Sequence, residues 1–439
     1  MTKTLKTTLF LMLLFQLGIS TGLELAHDEA YYWLFSRHLD WGYFDHPPFM
    51  AVVIKLFSFL PHSEFSVRLG FILLQFGSLF ILLSMTSYSM ISLLLFFSFP
   101  LASFTGLFAL PDIPLLFMTA CYCYQLKKYL EVDSARNSLG LGLIIALLFY
   151  AKYHGVLLIF FTIIALPGLL MRKSFYLVAL SALILFMPHI SWQYRHDFST
   201  LRYHFLERPS SLFSFERSVE FIALQIALAG LFVGPIVWYL TLKLKSQNNF
   251  DRAMKFISVG TVIFFFISTF TKKFEANWTI FLAIPLIYLT SSSLEWKKKW
   301  VKALLGGSFC IALLARILLV LPPEEVGIRR LKEFHGWESW ARNIREICGE
   351  DIIMANSYQI ASKLSFYLNQ EVTAFNYHSR KNQFDHWRWD KNYQTKKLCY
   401  ITDKSEFTGL TLQTPDGKSL QVVKNESIER LWALKSNQR

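Results

Sequence analysis

The sequence predicts a polytopic α-helical membrane protein that ends in a small α/β domain. Three observations carry that prediction. Apolar runs of about 20 residues recur from the N-terminus to Leu321. Lys and Arg are divided unevenly between alternate connections. Residues 322–439 then turn polar and contain no such run. Composition agrees: 53% of the 439 residues are hydrophobic, 42 are Phe, and the mean hydropathy is +0.35.

About eleven runs satisfy the length criterion. They cover residues 5–22, 65–84, 89–106, 112–130, 139–151, 153–171, 174–192, 219–242, 254–271, 278–293 and 301–321. The first follows Lys3 and Lys6 and resembles a signal peptide. No small-residue cleavage site stands out after it, so it is read as a retained helix. A cytoplasmic N-terminus puts Lys127, Lys128, Arg136, Arg172, Lys173, Lys243, Lys245 and Lys297 to Lys299 inside, and fewer cations outside. The net charge of +13 then fits cytoplasmic loops and anionic lipid. Nucleic acid is not a partner on this reading, because no basic groove motif is present. In this orientation five polar segments emerge on the extracytoplasmic face. They are residues 24–64, Pro111-Asp112, Lys152 to His154, Trp192 to Arg208, and Lys272 to Trp278.

Pro322-Pro323 ends the last span. Apolar residues at helical spacing (Leu331, Phe334, Trp337, Trp340, Ile344, Ile347) predict a helix over 330–348. A strand at 352–355, a helix at 358–368 and strands at 372–375 and 398–402 follow. That alternation predicts an α/β domain outside the membrane. The division is therefore 1–321 for the transmembrane domain, with an outer loop 23–64 carrying juxtamembrane helices, and 322–439 for the external domain. Cys121, Cys123 and Cys310 lie in apolar runs, whereas Cys348 and Cys399 in the tail can pair if it is oxidised.

The chemistry concentrates between Glu24 and Phe49, ELAHDEAYYWLFSRHLDWGYFDHPPF. Asp28 and Glu29 are adjacent carboxylates where the chain leaves the bilayer. Sugar transfer with inversion needs one base for the acceptor proton, while the leaving group departs from the opposite face. Asp28 is the candidate base, with Glu29 beside it to orient a partner. A structural role competes: Asp28 also suits the N-cap of a helix over 29–39, with Glu29 in its first turn. One carboxylate can do both. Tyr31-Tyr32-Trp33 and Trp41 to Phe44 suit an interfacial belt as well as walls for a sugar ring or prenyl chain. Asp45-His46-Pro47-Pro48 opens a second juxtamembrane helix. His46 can hold a phosphate, and Asp45 can cap. Asp112 begins the fourth span, as cap or as site contact.

Lys152, beside Tyr153 and His154, lies between two apolar runs and is costly there unless it meets an anion. Phosphate is the anion proposed. Arg195 and His196 in WQYRH follow another span, and Arg suits bidentate phosphate contact as well as plain surface solvation. Glu275 and Asn277 stand at the mouth of the tenth span. No GxxxxGK[ST], GxGxxG, HExxH or GxSxG occurs, so nucleotide-driven chemistry finds no support. A donor carried on a lipid phosphate fits an outward-facing site.

HDEAYYW, GYFDHPPF, VRL at 67–69, PDIPLLF, YAKYHGVLL, SWQYRHDFS and FEANW span about residues 20 to 290. Together they resemble the bacterial branch of the protein O-mannosyltransferase superfamily. The aminoarabinose and galacturonic acid transferases that modify lipopolysaccharide are similar in pattern. The resemblance implies a GT-C fold and a polyprenyl-phosphate-linked sugar donor. It implies transfer with inversion to a lipid (lipid A) or protein acceptor, on the periplasmic face of the bacterial inner membrane. It implies Asp28 as base with Glu29 beside it, and Lys152 and Arg195 on the donor phosphate. Arg68, His46, His196, Asp112, Asp45 and His154 are further candidate contacts. Metal use varies within the superfamily, so no cofactor is assigned and a divalent metal ion stays open. The alternative is a transporter or flippase of lipid-linked sugars. That would place charges near mid-membrane and repeat inverted halves; here the charges gather at one face.

Overall fold

A computed structural model describes residues 1–202, 214–377, 380–387 and 397–436. Arg208, in one of the expected outer segments, lies outside the described residues. Helix α1 spans Lys3–Thr21, α2 His27–Arg37, α3 Phe49–Leu56 and α4 Glu64–Met85. Helices α5 (Met90–Ser98), α6 (Pro100–Phe104), α7 (Asp112–Glu131), α8 (Ala135–Ala151) and α9 (Val156–Ala165) follow. Next come α10 (Lys173–Arg195), α11 (Ser199–Arg202), α12 (Phe215–Leu228), α13 (Gly234–Lys243) and α14 (Asn249–Ser268). The bundle closes with α15 (Ala283–Ser291) and α16 (Lys299–Val320).

Every apolar run of the sequence has a helical counterpart. Eleven uninterrupted spans are not what forms, however. Among the described residues, four helices (α1, α4, α10 and α16) are long and apolar enough to cross a bilayer alone. The expected span 89–106 is α5 and α6, bent by 94° at Phe99-Pro100. A proline at the first position of α6 explains why the chain restarts there. Runs 139–151 and 153–171 are α8 and α9, joined by a 3-10 turn at Tyr153–Gly155. Run 219–242 is broken between α12 and α13.

A broken helix exposes backbone groups that lipid cannot satisfy. Here side chains from two helices satisfy them, and a third helix braces one of the two. Gln75 Nε2 donates to the carbonyls of Ala102 (2.5 Å) and Ser103 (2.9 Å), and its Oε1 accepts from Gln16 Nε2 at 2.5 Å. Arg316 of α16 donates to Ser103 O at 2.5 Å and lies 4.4 Å from the Phe104 ring centre. Gly106 completes the fit, because a Cβ there would meet the Gln75 amide at 2.2 Å. The outer faces of α10 and α16 stay apolar and unburied (Leu180, Leu183, Ile184, Leu314, Ile317), as lipid-facing surfaces do.

The chain then forms α17 (Pro323–Val326), a 3-10 turn over Arg329–Phe334 and α18 (Trp337–Cys348). Strand β1 (Ile352–Ala355), α19 (Tyr358–Tyr367), β2 (Thr373–Ala374), α20 (Gln383–Trp387) and β3 (Leu398–Thr402) follow. Strands β4 (Leu410–Gln413) and β5 (Ser419–Glu426) and helix α21 (Ile428–Ser436) complete the described residues. The sheet order is β2-β1-β3-β5-β4. β1 pairs parallel with β2 and β3, and β5 antiparallel with β3 and β4. The α/β expectation holds, and the β4–β5 hairpin adds to it. Its turn carries Pro415-Asp416-Gly417, with Gly417 at φ 84°, a turn signal visible in the sequence.

Cys348 at the end of α18 is disulfide-bonded to Cys399 in β3 across 51 residues. A closed loop of that length contributes about 4 kcal/mol in the chain-entropy account. Reduction in detergent should therefore lower the unfolding midpoint of the α/β domain by several degrees while leaving the helical bundle folded. Tryptophan fluorescence with and without reductant measures it.

Candidate active site

Two successive carboxylates in a helix point about 100° apart, so Asp28 and Glu29 cannot share a direction. Glu29 points into the protein and is fully buried. Its Oε1 accepts from Arg68 Nε (2.8 Å) and the Ala109 amide (2.9 Å). Its Oε2 accepts from Arg68 Nη2 (2.7 Å) and the Ala26 amide (2.8 Å). The Ala26 contact caps α2 from the third helical position. The capping role expected of Asp28 thus falls to Glu29. With four donors on two oxygens, Glu29 has no capacity left for chemistry, which corrects its candidacy as a catalytic group. Arg68 is corrected on the same ground. It is fully buried, and its guanidinium also donates to the carbonyls of Ser20 (2.9 Å), Leu23 (2.6 Å) and Glu24 (2.8 Å). No N–H remains for a phosphate.

Asp28 is the opposite case. Its side chain keeps access to solvent although protein surrounds it on nearly every side, so it occupies a recess. Among the described residues it makes no hydrogen bond or ion pair. Burial, reinforced by the carboxylates of Asp45 and Glu333, lifts its pKa to about 6, against the opposing pull of Arg380. Asp112 adds to the rise.

Two other carboxylates share this recess, and both are paired. Asp45 accepts from Tyr31 Oη (3.1 Å) and Arg380 Nη2 (2.7 Å). Tyr31 Oη in turn accepts from the Gln383 amide at 2.7 Å. Asp112 accepts from Lys152 Nζ (2.8 Å) and Asn277 Nδ2 (3.1 Å). The anion that Lys152 meets is therefore Asp112, where the sequence suggested phosphate. Tyr32 lies among Asp28, Asp45 and Asp112, and burial with their negative charge holds its phenol protonated.

The remaining outer segments meet nearby. Trp192 Nε1 donates to Asp40 Oδ2 at 2.8 Å, and Thr200 Oγ1 to Tyr43 O at 3.0 Å. His189 Nδ1 lies 2.6 Å from Trp41 O and Nε2 lies 2.7 Å from Tyr153 Oη. A carbonyl only accepts, so Nδ1 carries the proton and Tyr153 donates to Nε2. Gly42 makes this approach possible, because a Cβ there would meet the Trp192 ring at 2.5 Å. His196 stacks on Trp192 at 4.2 Å and faces His386 at 5.5 Å. Arg195 is exposed and, among the described residues, makes no ion pair. His46 packs against Tyr32 (5.6 Å), and His154 lies between Phe265 (5.8 Å) and Trp278 (5.5 Å).

The structure thus joins Asp28, Asp45, Asp112 and Lys152, and leaves Arg195 on the surface. It adds residues that sequence reasoning passed over: Asp40, His189, Glu333, Lys363 and Arg380. Asp40 lies inside the Glu24–Phe49 stretch, Glu333 stands just before HGWESWA at 335–341, and Arg380 stands near FDHW at 384–387. Among the described residues no three His, Cys, Asp or Glu side chains are placed to hold a metal ion, so no step is assigned to one.

Comparison with known proteins places this architecture. A sequence profile described as dolichyl-phosphate-mannose-protein mannosyltransferase matches residues 45–192. Lipid A galacturonosyltransferase RgtD of Rhizobium johnstonii (strain DSM 114642 / LMG 32736 / 3841) is 24% identical over 383 residues. The alignment covers 78% of this chain and 77% of that protein. The crystal structure of ArnT from Cupriavidus metallidurans in the apo state superposes with a TM-score of 0.69 at 14% identity, over 96% of this chain and 98% of that one. The same protein bound to undecaprenyl phosphate gives 0.71 at 13% identity, over 97% and 99%. The GT-C fold expected from the sequence is the fold found, and the superfamily resemblance holds in all three comparisons.

The two neighbouring carboxylates should respond oppositely to neutralisation. Glu29→Gln or Arg68→Met strands a buried charge and should cost about 3–5 kcal/mol, read as lost detergent-soluble folded protein. Folded Asp28 holds its proton up to about pH 6, against 3.8 for an ordinary aspartate. The folded state therefore binds more protons between those values, and stability falls as pH rises through that window. Asp28→Asn should raise the unfolding temperature at neutral pH and lose that advantage in acid. A lower unfolding temperature at pH 7 would contradict the site's electrostatics.

Proposed function

We propose that this chain is a membrane-embedded glycosyltransferase that moves a sugar from a polyprenyl-phosphate carrier to lipid A on the periplasmic face. The observation that carries the reading is the unpaired Asp28 carboxylate in a recess where every neighbouring carboxylate is already bonded. Asp28 takes the proton of the acceptor hydroxyl. The acceptor oxygen attacks the anomeric carbon, and the bond from that carbon to the carrier oxygen breaks on the opposite side. The carrier phosphate leaves with the electron pair, so configuration inverts. A pKa of about 6 keeps Asp28 mostly ionised at neutral pH yet basic enough to accept a proton.

Lys152 uses one donor on Asp112 and keeps two more N–H groups. In this proposal those groups and exposed Arg195 meet the carrier phosphate and stabilise the negative charge that grows on it. The galacturonosyl activity named for RgtD and the carrier bound to ArnT support the lipid acceptor and the lipid-linked donor. Transfer to protein has only the name of the matching profile behind it. Nothing in the fold favours a transporter. An extracytoplasmic α/β domain is supported by the Cys348–Cys399 disulfide, a bond of oxidising compartments.

Purified Asp28→Asn should bind carrier and lose transfer by on the order of 10²–10⁴-fold. In the unaltered chain kcat/KM should fall about tenfold per pH unit below about pH 6, because the base is lost to protonation. Near-normal turnover by Asp28→Asn with a polyprenyl-phosphate sugar would refute the assignment. Topology has its own check. Alkaline phosphatase fused after Arg439 should be active in cells, and green fluorescent protein at the same point should be dark. The reverse pattern would put the recess on the wrong side for a lipid-linked donor.

A further inference from the structure

Three of the four residues leading into Asp28 are held by the C-terminal domain. The Glu24 amide donates to Phe334 O at 3.1 Å, and the Glu24 carboxylate accepts from the amides of Trp337 (2.6 Å) and Glu338 (3.1 Å). The Leu25 amide donates to Tyr367 Oη at 2.7 Å, and Leu25 O accepts from Lys363 Nζ. Ala26 is tied to Glu29. The His27 amide donates to Glu333 Oε1 at 3.1 Å, and the His27 ring packs edge-on against Trp337 at 4.8 Å. Lys363 is buried, bonds Glu333 O at 3.0 Å and stacks over Trp337 at 4.5 Å.

His27 is the first residue of α2, so its amide is one of the helix's open donors. Helices usually close that donor with a side chain of their own. This one is closed by a carboxylate about 300 residues later in sequence, which brings a full charge to the turn that carries Asp28. We propose that Glu333 is a positioning residue for Asp28, tying the first turn of α2 to the C-terminal domain and setting a second negative charge beside the reacting carboxylate. The proposal rests on the reading of Asp28 as the base.

Other charged groups around this turn are accounted for. Glu29 is neutralised by Arg68 of α4, Asp45 by Arg380, and Asp112 of α7 by Lys152. Lys363 of α19 bonds the Glu333 carbonyl at 3.0 Å, and its charge is felt by the carboxylates of Glu24 and Glu333 without an ion pair to either. His27 Nε2 is 3.7 Å from Asp416 Oδ2 of the β4–β5 turn, and Lys418 pairs with the same Asp416 at 3.3 Å. Burial keeps His27 below its ordinary pKa, so it is neutral near pH 7. Glu333 therefore remains, beside Asp28, a carboxylate with no cation on its side chain among the described residues. Its charge is one of the causes that raise Asp28 above the usual carboxylate range.

Glu333→Gln separates the two parts of this role. The amide oxygen can still accept from His27, but the charge is gone. The test needs no substrate at first. The difference in unfolding temperature between the full-length chain and its Asp28→Asn variant, followed across pH, reports the protonation of Asp28. In a Glu333→Gln background the midpoint of that difference should move to lower pH. The acid limb of kcat/KM should move with it, so that activity near pH 5 relative to pH 8 rises about threefold, the factor for half a pH unit. Glu333→Ala removes charge and cap together. It should show the same midpoint shift and a further fall in kcat on the order of tenfold or more, with donor KM little changed. If the alanine variant does not fold, the glutamine variant decides. An unchanged midpoint in Glu333→Gln would overturn the proposal and reduce Glu333 to a cap. A chain that transfers no sugar under any condition would instead sink the functional reading, and the stability midpoint would still decide the role of Glu333.

Discussion

The buried pair Arg68–Glu29 is the constraint on which the site depends. Its Nη2–Oε2 distance is 2.7 Å and both side chains are sealed from solvent. Such a pair is not a simple gain in stability, because each charge gives up hydration to enter the protein. What it provides is register. Arg68 gathers the carbonyl of Ser20, which α1 leaves open in its last turn, and those of Leu23 and Glu24 just beyond it. Glu29 gathers the amides of Ala26 and Ala109, from the start of α2 and the segment ahead of α7. One ion pair thus fixes α1, α2, α4 and the approach to α7 against each other. Slipping α2 by one residue would take the Glu29 carboxylate away from Arg68 and the Ala109 amide, so the helix has one tolerable phase.

Division of labour among the carboxylates follows. Three acids face one recess, and like charges so placed cannot all ionise freely. Arg380 and Tyr31 bond Asp45, and Lys152 and Asn277 bond Asp112. Asp28 has no such partner and bears the electrostatic cost of the other two. Asp28 is thus left as the carboxylate of the three without a bonded partner among the described residues, with its pKa lifted to about 6. Environments that drive neighbouring carboxyl groups apart are how a site separates a base from its structural supports.

The sequence shows the spans well because bilayer length and apolarity are local properties. Ser63 ahead of Glu64, and Pro100 at the helix break, are also readable where they stand. Which carboxylates are available is not local. Asp28 looks like the better cap than Glu29 by residue preference alone. The choice is reversed by Arg68, 39 residues away in α4. Lys152 looks like a cation waiting for phosphate until Asp112 comes alongside. Arg195 was legible as a cation at a span end, and it stands exposed there. Glu333 and Arg380 carry no motif, and only the folded C-terminal domain delivers them. The hairpin turn at Pro415-Asp416-Gly417 was readable, and β4 (Leu410, Thr411, Leu412, Gln413) does alternate apolar and polar, but at four largely exposed residues it is too short to stand out.

A division of the chain at residue 322 follows solvent and lipid, and the site does not respect it. Phe44 N donates to Gln383 Oε1 at 2.8 Å, Tyr31 meets the Gln383 amide, and Arg380 reaches Asp45. On the other flank Tyr367, Lys363 and Glu333 grip Leu25 and His27. The outer loop is thus held from below by Arg68 and from above by the α/β domain, with Asp28 between the two grips. A loop at the bilayer surface without the upper grip would have only water and headgroups to compete for its amides, and α2 would lose the bond to its first amide. The α/β domain is therefore part of what holds the turn that carries Asp28. This arrangement also explains why a sheet domain rests on a membrane bundle whose apolar spans could fold without it.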